Sequence, residues 1–456
     1  MSRLQLGELA AMLDGHLHGA DAAFDGVGSD TRSLQAGELF VALHGPSFDG
    51  HDFVAQAAAR GAAGALVGHR VDAALPQVEV ADTLAGLGRL GREWRRRCAA
   101  RVLGITGSNG KTTLKEMCAA ILSRCGSTLA TRGNLNNAIG VPLTLCRLRD
   151  EAYAVIEMGA NHMGEIDYLT RLVEPDVAIL NNAGRAHLEG FGSIENIARG
   201  KAEIINGLRP GGTFVFNGDD RFADLWRALG SQKSLRSFGV RRPADVSSPA
   251  DVYRVVWGDD AFETRFPVRC EAGEAEVSLA LAGEHNRMNA LAAIAGCLAL
   301  GADLDAAVEG LGGLRPVAGR LCPLAGINGA RLIDDSYNAN PDSVLAALRV
   351  LAAAPGRRTL VLGDLAELGE GADELHAQLG RQAAELGIDR LIATGPLSAA
   401  ATAAFGAGGR HFDDQQALID ALGEGISAED SVLVKGSRSA RMDRVVLALR
   451  AGEAPC

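Results

Sequence analysis

The chain has 456 residues, 47% of them hydrophobic and 22% charged, and a formal net charge of -11 at pH 7. At roughly 100–200 residues per domain, that length and apolar content give several domains with a large core and exclude bulk disorder. The acidic balance excludes nucleic acid as a bulk partner, because a phosphate backbone demands basic surface. The opening "MSRLQLGELAAMLDG" is an amphipathic start with early acids, not a signal peptide. Residues 1–99 then mix short strands, "ELFVAL" (38–43) and "GALVG" (64–68), with Ala-rich helical stretches, and close on the basic helix "GRLGREWRRRC" (88–98).

Residues 100–312 alternate apolar strands with helical patterns. "RVLGIT" leads into a glycine loop and the helix "KTTLKEMCAAILSRCG", followed by "YAVIEMG" (153–159), "DVAILNNAG" (176–184) and "TFVFNGDD" (213–220). Strands separated by helices predict a parallel sheet with crossovers. "ALAAIAGCLALGA" (290–302) reads as a buried helix, and "GLGGLRPVAGR" (310–320) as a hinge. Residues 313–456 repeat the style with "RLIDDSY" (331–337), "RTLVLGD" (358–364), "RLIATG" (390–395) and "SVLVKGS" (431–437). The expected class is α/β, and ligands of open α/β sheets collect outside the carboxyl ends of the strands.

No uninterrupted apolar run reaches the ~18 residues of a membrane helix, so no membrane insertion is expected. None of the eight cysteines forms a C-x-x-C pair, which signals neither a zinc site nor a disulfide framework. They read as small core residues in a reducing cytoplasm.

The motif that carries most chemistry is "GITGSNGKTT" (104–113). A strand, a glycine loop and a helix opening on Lys-Thr form a P-loop arrangement. Gly107, Ser108, Asn109 and Gly110 free backbone amides to face an anion, and the helix N-terminus adds about half a positive charge. Lys111 reaches the outer phosphates, the Thr112 hydroxyl suits Mg²⁺, and Thr113 follows it into the helix. The glycines recur every third residue, at 104, 107 and 110, which departs from the strict pattern. The competing reading is an ordinary Gly-rich turn.

"ATRGNLNNAIGVP" (130–142) offers Thr131, Asn134, Asn136 and Asn137 as neutral hydrogen-bonding groups, or else an Asn-rich turn. "VIEMGANHMGEI" (155–166) sets Glu157 at the end of a buried strand, where a carboxylate is costly unless a cation pairs it. Mg²⁺ and a structural salt bridge both fit. His187 follows the next strand and Lys201 lies on the helix beyond, and taken alone each reads as structural or solvated. Asn286 and Asn289 in "GEHNRMNALAA" (283–293) share a helix face and either read a nucleobase edge or cap the helix. Asp335 in "DDSYNANPDS" (334–343) either holds a ribose or punctuates a strand-to-helix turn.

Together these strings, with "SDTRSLQAGELFVALHGPSFDGHDF" (29–53) and "LGDLAELGE" (362–370), resemble the Mur ligase family over almost the whole chain. The resemblance is nearest to the member that adds D-alanyl-D-alanine to UDP-N-acetylmuramoyl-tripeptide, the last cytoplasmic addition to the peptidoglycan stem. The family's P-loop also carries glycines every third residue. The implied fold is a small mixed α/β N-terminal domain (1–99), a central P-loop ATPase-type parallel sheet (100–312) and a C-terminal Rossmann-like domain (313–456). The implied chemistry is ATP-driven amide formation through an acyl phosphate, with two Mg²⁺ ions.

By that resemblance Thr112, Thr131 and Glu157 belong near one Mg²⁺, and His187 and Lys201 near the other, Lys201 as a carbamate. Lys111, Lys201 and His187 are the implied catalytic residues. Asn286 and Asn289 bind adenine with His285 nearby, Asp335 holds ribose, and Arg320 reaches the phosphates from the third block. Ser29, Asp30, Thr31 and Arg32 bind the uridine nucleotide, with Arg32 pairing an anionic group. Asn134, Asn136 and Asn137 face substrate. Lys435 and Arg438 in "VKGSR" meet an incoming carboxylate or a phosphate. Leu365 stands where the family string has methionine. A cytoplasmic monomer is implied. The competing functions are another Mur-type ligase or a folylpolyglutamate synthetase-like enzyme, which would not need the first block, and a nucleotide switch, which would not need Glu157, His187 and Lys201 around a P-loop.

Overall fold

A computed structural model of the chain describes residues 4–258 and 260–452. The first block is built on a five-stranded sheet ordered 16–18, 77–79, 64–67, 39–41, 27–28, parallel except for its first pair. "ELFVAL" and "GALVG" supply two inner strands, Leu39–Val41 and Gly64–Val67, buried on both faces. The basic helix is Thr83–Arg96, capped by the Asp82 carboxylate on the amides of Leu84 and Ala85. Its arginines are internal ties. Arg92 and Arg96 pair with Glu174 at 2.8 and 2.6 Å, and Arg95 with Asp176 at 3.3 Å, fastening the first block to the second.

The second block carries a ten-stranded sheet. Seven strands run parallel in the order 128–130, 153–157, 101–106, 177–180, 213–217, 234–239, 246–247. From the P-loop strand the chain travels to one side for two strands and then crosses to the other. The crevice of an open α/β sheet lies at such a reversal. The sheet does not stay parallel: strands 254–257, 262–270 and 273–279 add an antiparallel extension. In strand 262–270, buried Phe262, Thr264, Phe266 and Val268 alternate with Glu263 and Arg265. That period of two is interrupted by charge and lacks the continuous apolar run that betrays the parallel strands. Helix Glu284–Ala299 is buried over most of its circumference, as "ALAAIAGCLALGA" implies.

The third block holds six strands ordered 322–325, 331–335, 430–435, 357–363, 390–394, 409–412, with the first pair antiparallel and the rest parallel. The segment from 313 to 321 is irregular between helix Leu304–Gly312 and the first strand. Phe262 and Ala282 of the second block belong to the same buried apolar cluster as Val344, Val350 and Leu351 of the third, with Val255 and Trp257 packed against it. Cys98, Cys118, Cys146 and Cys297 are buried as expected of core residues, whereas Cys125 at a helix end is exposed. Among the described residues no helix is long and apolar enough to cross a membrane.

Candidate active site

The carboxyl ends of strands 101–106, 153–157, 177–180 and 331–335 open into one cleft of about 1500 Å³. Lys111, Glu157 and His187 all line it, as do Ser108, Asn109, Gly110, Thr112 and Thr113 of the glycine loop. Gly110 precedes the helix Lys111–Cys125 with φ of 77°. A Cβ there would sit 2.6 Å from the Asn289 Oδ1, so both backbone and neighbour require glycine. The Lys111 ammonium donates to the carbonyls of Gly107 (2.8 Å) and Ser108 (3.3 Å), poised over the loop. Burial pushes its pKa down, Glu157 opposes that shift and Arg320 adds to it.

An asparagine chain joins the loop to the expected nucleobase residues. Asn181 Nδ2 donates to the Asn109 carbonyl (3.0 Å) and to Asn289 Oδ1 (2.7 Å). Asn289 Nδ2 donates to Asn286 Oδ1 (3.2 Å), and Asn286 Nδ2 to the Ala282 carbonyl (2.7 Å). Asn286 and Asn289 thus share a face as their spacing predicts, and both line the cleft beside His285. Burial lowers the His285 pKa to about 4.

Glu157 is 2% exposed. Its backbone N–H donates to Thr131 Oγ1 (3.0 Å), its Oε1 accepts from Asn136 Nδ2 (2.8 Å), and its Oε2 is buried with no hydrogen-bond partner. A buried carboxylate oxygen left unpaired is costly, and a cation is what it lacks. The donor set, one carboxylate with a Thr112 hydroxyl on the same wall, fits Mg²⁺, which prefers oxygen and keeps waters and substrate phosphates as its other ligands. Among the described residues no cluster of three or more His, Cys, Asp or Glu could hold a metal on protein groups alone. Thr131 lies behind Glu157 and off the cleft wall, its carbonyl held by the buried Lys115 ammonium at 2.8 Å.

Lys201 is fully buried behind the wall. Its Nζ donates to the Ala160 carbonyl (3.0 Å) and lies 5.1 Å from the Phe191 ring centroid. Burial, with Lys111 adding, lowers its pKa to about 7. His187 is the N-cap of a short helix with φ of 57°, and its Nδ1 lies 2.6 Å from Glu367 Oε2 of the third block. Burial and Lys111 lower its pKa, and Glu367 opposes them.

The third block closes the cleft. Arg320 Nη2 reaches Thr112 Oγ1 at 3.3 Å, bringing a second cation to the glycine loop. Arg320 and Arg438 both stack on Tyr337, at 4.1 and 5.1 Å from its centroid. Arg185 pairs with Asp342 at 2.8 Å, and Asn340 donates to Asn109 Oδ1 at 2.6 Å. Tyr337, Asn181, Arg185, Asn340, Asp342 and Glu367 were not singled out from the sequence. "NPDS" starts helix Pro341–Ala352, with a capping box between Asn340 and Ser343, and the same turn supplies the Asn340 and Asp342 contacts.

Three sets of expected site residues already have protein partners. Lys435 lines the cleft, is 2% exposed and pairs with Asp335 Oδ2 at 2.6 Å, balancing a carboxylate whose pKa burial raises. The string Ser29–Arg32 stands outside the cleft, where Arg32 turns on Asp30 at 2.6 Å and Thr31 donates to Gln56 at 2.7 Å. Arg32 lowers the Asp30 pKa to about 2. Asn134, Asn136 and Asn137 all line the cleft, where Asn137 Oδ1 also caps the turn at Gly140 (2.8 Å) and Asn136 Nδ2 donates to Glu157 Oε1 (2.8 Å).

Residues 105–297 match the Mur ligase middle domain, 319–438 the Mur ligase glutamate ligase domain, and 23–91 the Mur ligase family catalytic domain. The UDP-N-acetylmuramoyl-tripeptide--D-alanyl-D-alanine ligase of Escherichia coli K12 is 45% identical over 453 residues, covering 99% of both chains. The chain belongs to the Mur ligase family. MurF of Acinetobacter baumannii superposes on this Mur ligase with a TM-score of 0.90 at 38% identity, over 98% of each chain. MurF of Thermotoga maritima, solved with ADP, does so with a TM-score of 0.82 at 28% identity, over 93% of this Mur ligase and 96% of that chain.

Proposed function

We propose that this Mur ligase joins D-alanyl-D-alanine to UDP-N-acetylmuramoyl-tripeptide at the expense of ATP, through an acyl phosphate. One observation carries the reading: a single cleft gathers Lys111 and the glycine-loop amides, the orphaned Glu157 oxygen, and Arg320 delivered from the third block. The Escherichia coli relative, a UDP-N-acetylmuramoyl-tripeptide--D-alanyl-D-alanine ligase, supplies the two substrates of this reading.

A carboxylate is a poor electrophile, so the tripeptide's terminal carboxylate must first be activated. Its oxygen attacks the γ-phosphorus of ATP and ADP leaves. Both reactants are anionic. Lys111, the loop amides and Arg320 screen them as they approach, in a cleft where such donors act strongly. Thr112 and Glu157, with Thr131 behind, and His187 and Lys201 would hold Mg²⁺, which would supply further charge neutralisation. The dipeptide amine then attacks the acyl carbon, and phosphate departs from the tetrahedral intermediate. Free α-amino groups have a pKa of about 7.7–8.0, so modest help suffices to bare the amine. Asn286 and Asn289 hold adenine, Asp335 the ribose, residues 1–99 the uridine nucleotide, and residues 313–456 the dipeptide, with Arg438 as its exposed cation.

Lys201 suits a carbamate. Its lowered pKa leaves about half the amines neutral near pH 7, and a neutral amine plus CO₂ gives a carbamate and a proton. The product is an anion where an ammonium would repel Mg²⁺. Lys201→Ala should cut turnover, with partial recovery on adding a short carboxylate.

The deciding test is ADP release with the substrates offered singly and together. Release that needs both the tripeptide nucleotide and D-alanyl-D-alanine is expected. Turnover indifferent to the dipeptide refutes the assignment, and turnover with a folate in place of the nucleotide moves it to the folylpolyglutamate synthetases.

A further inference from the structure

Glu367 reaches across from the third block to a residue of the second. Its Oε2 lies 2.6 Å from His187 Nδ1, and both residues line the cleft. The pair is assembled from two unusual backbones. His187 has φ of 57° and Glu367 φ of 59°, the left-handed region that non-glycine side chains avoid. Such conformations persist only where the surroundings over-determine them.

The loop bearing Glu367 is clipped at its start, both to neighbouring segments and to the helix that follows it. At its start, the Asp364 carboxylate accepts from the Ser398 amide (2.8 Å), and its carbonyl accepts from Ser437 N (2.9 Å) and Oγ (2.6 Å). At its end stands His376, fully buried in helix Ala372–Glu385. His376 Nε2 accepts from the Leu365 amide (3.0 Å), so its Nδ1 carries the proton and donates to the Ala372 carbonyl (2.7 Å). Leu365 and Leu368 of the loop are buried in the third block's core. The loop's two leucines point in and its glutamate is left at the cleft. The next turn also approaches the second block, since a Cβ on Gly369 would lie 3.8 Å from the Glu189 Cβ.

We propose that Glu367 is a positioning residue for the ligase reaction, an inference that rests on the reading above. An ionised carboxylate only accepts, so a neutral His187 bonded to it carries its proton on Nδ1 and keeps the Nε2 lone pair for a metal or a substrate proton. Because the carboxylate comes from the third block, the ring is fixed in this tautomer only when that block is seated on the second. His376 serves Glu367 in turn, by clipping the loop that presents it. The cleft thereby couples the seating of one domain to the readiness of a side chain in another.

The test compares Glu367→Ala with Glu367→Gln, whose amide oxygen can still accept from Nδ1–H. Their kcat and KM are measured with ATP, the tripeptide nucleotide and D-alanyl-D-alanine. The His187 tautomer is read from ¹⁵N-histidine spectra of the full chain without nucleotide, assigned with His187→Gln. Glu367→Ala should lower kcat about 10- to 100-fold, leave the KM for D-alanyl-D-alanine within about threefold, and shift His187 away from Nδ1–H. Glu367→Gln should retain kcat within about threefold and keep Nδ1–H. An unchanged tautomer in Glu367→Ala, or equal losses in the two variants, overturns the proposal. Wild-type turnover that ignores D-alanyl-D-alanine defeats the ligase reading instead, and the spectra still report on the pair.

Discussion

The second and third blocks meet along two unlike seams. On one side Phe262 and Ala282 share an apolar cluster with Val344, Val350 and Leu351, and Trp257 packs edge-on to Phe262 at 5.0 Å. On the other, the contacts are polar and line the cleft: Arg185 with Asp342, Asn340 with Asn109, Arg320 with Thr112, Glu367 with His187. Burying one phenylalanine stabilises by roughly 1.5–3 kcal/mol, whereas a solvent-reachable ion pair contributes about 0–1 kcal/mol. The apolar seam therefore keeps the blocks attached while the polar seam opens and closes at little cost. A cleft that admits ATP and releases ADP needs that division.

The largest effect should come from the chemical side. Lys111→Ala removes the ammonium from the glycine loop and should lower kcat about 10³-fold, read as ADP release. Its thermal unfolding should move little, because the side chain is half-buried and bonds only to its own loop. The opposite substitution sharpens the contrast. Phe262→Ala should destabilise by about 3–5 kcal/mol in denaturant titration, with kcat at low temperature within about threefold of the parent. If Phe262→Ala instead abolished turnover in folded protein, the two seams would not be separable.

A smaller effect is expected at His285, beside the nucleobase residues. Unfolded, it takes a proton below about pH 6.5; folded, only below about 4. Between those values the unfolded state binds more protons, so stability falls as pH drops from 6.5 to 4. His285→Gln should flatten that part of the pH–stability curve, by at most about 3 kcal/mol. The smallest effect belongs to the Arg185–Asp342 pair of the polar seam. Asp342→Asn loosens Arg185 and should cost roughly 0.5–1 kcal/mol of closure, visible as a few-fold rise in the KM for ATP with kcat retained.

The glycine loop, the strands that flank it and the helix of Asn286 and Asn289 were legible because each carries a local signal. A continuous apolar run marks a doubly covered strand, glycines mark a backbone that must approach an anion, and three-residue spacing marks one helix face. The antiparallel extension at 254–279 was not legible, since charges at Glu263 and Arg265 break its apolar pattern. Pairings across the chain were hidden for a different reason. Nothing near Lys435 says that its partner is Asp335, 100 residues away, and nothing near His187 points to Glu367, 180 residues away. The orphaned oxygen of Glu157 is likewise a property of three segments meeting. Sequence placed a carboxylate at a strand end, and only the packed chain leaves one oxygen of it without a partner.

That the cleft brings two anions together is tested most directly by following an oxygen atom. The tripeptide nucleotide is prepared with ¹⁸O in its terminal carboxylate and turned over with ATP and D-alanyl-D-alanine, and the released phosphate is weighed by mass spectrometry. Attack of the carboxylate on the γ-phosphorus predicts one ¹⁸O in each phosphate formed by ligation. Phosphate free of label, at full yield of the amide product, would mean that the carboxylate never met the phosphoryl group.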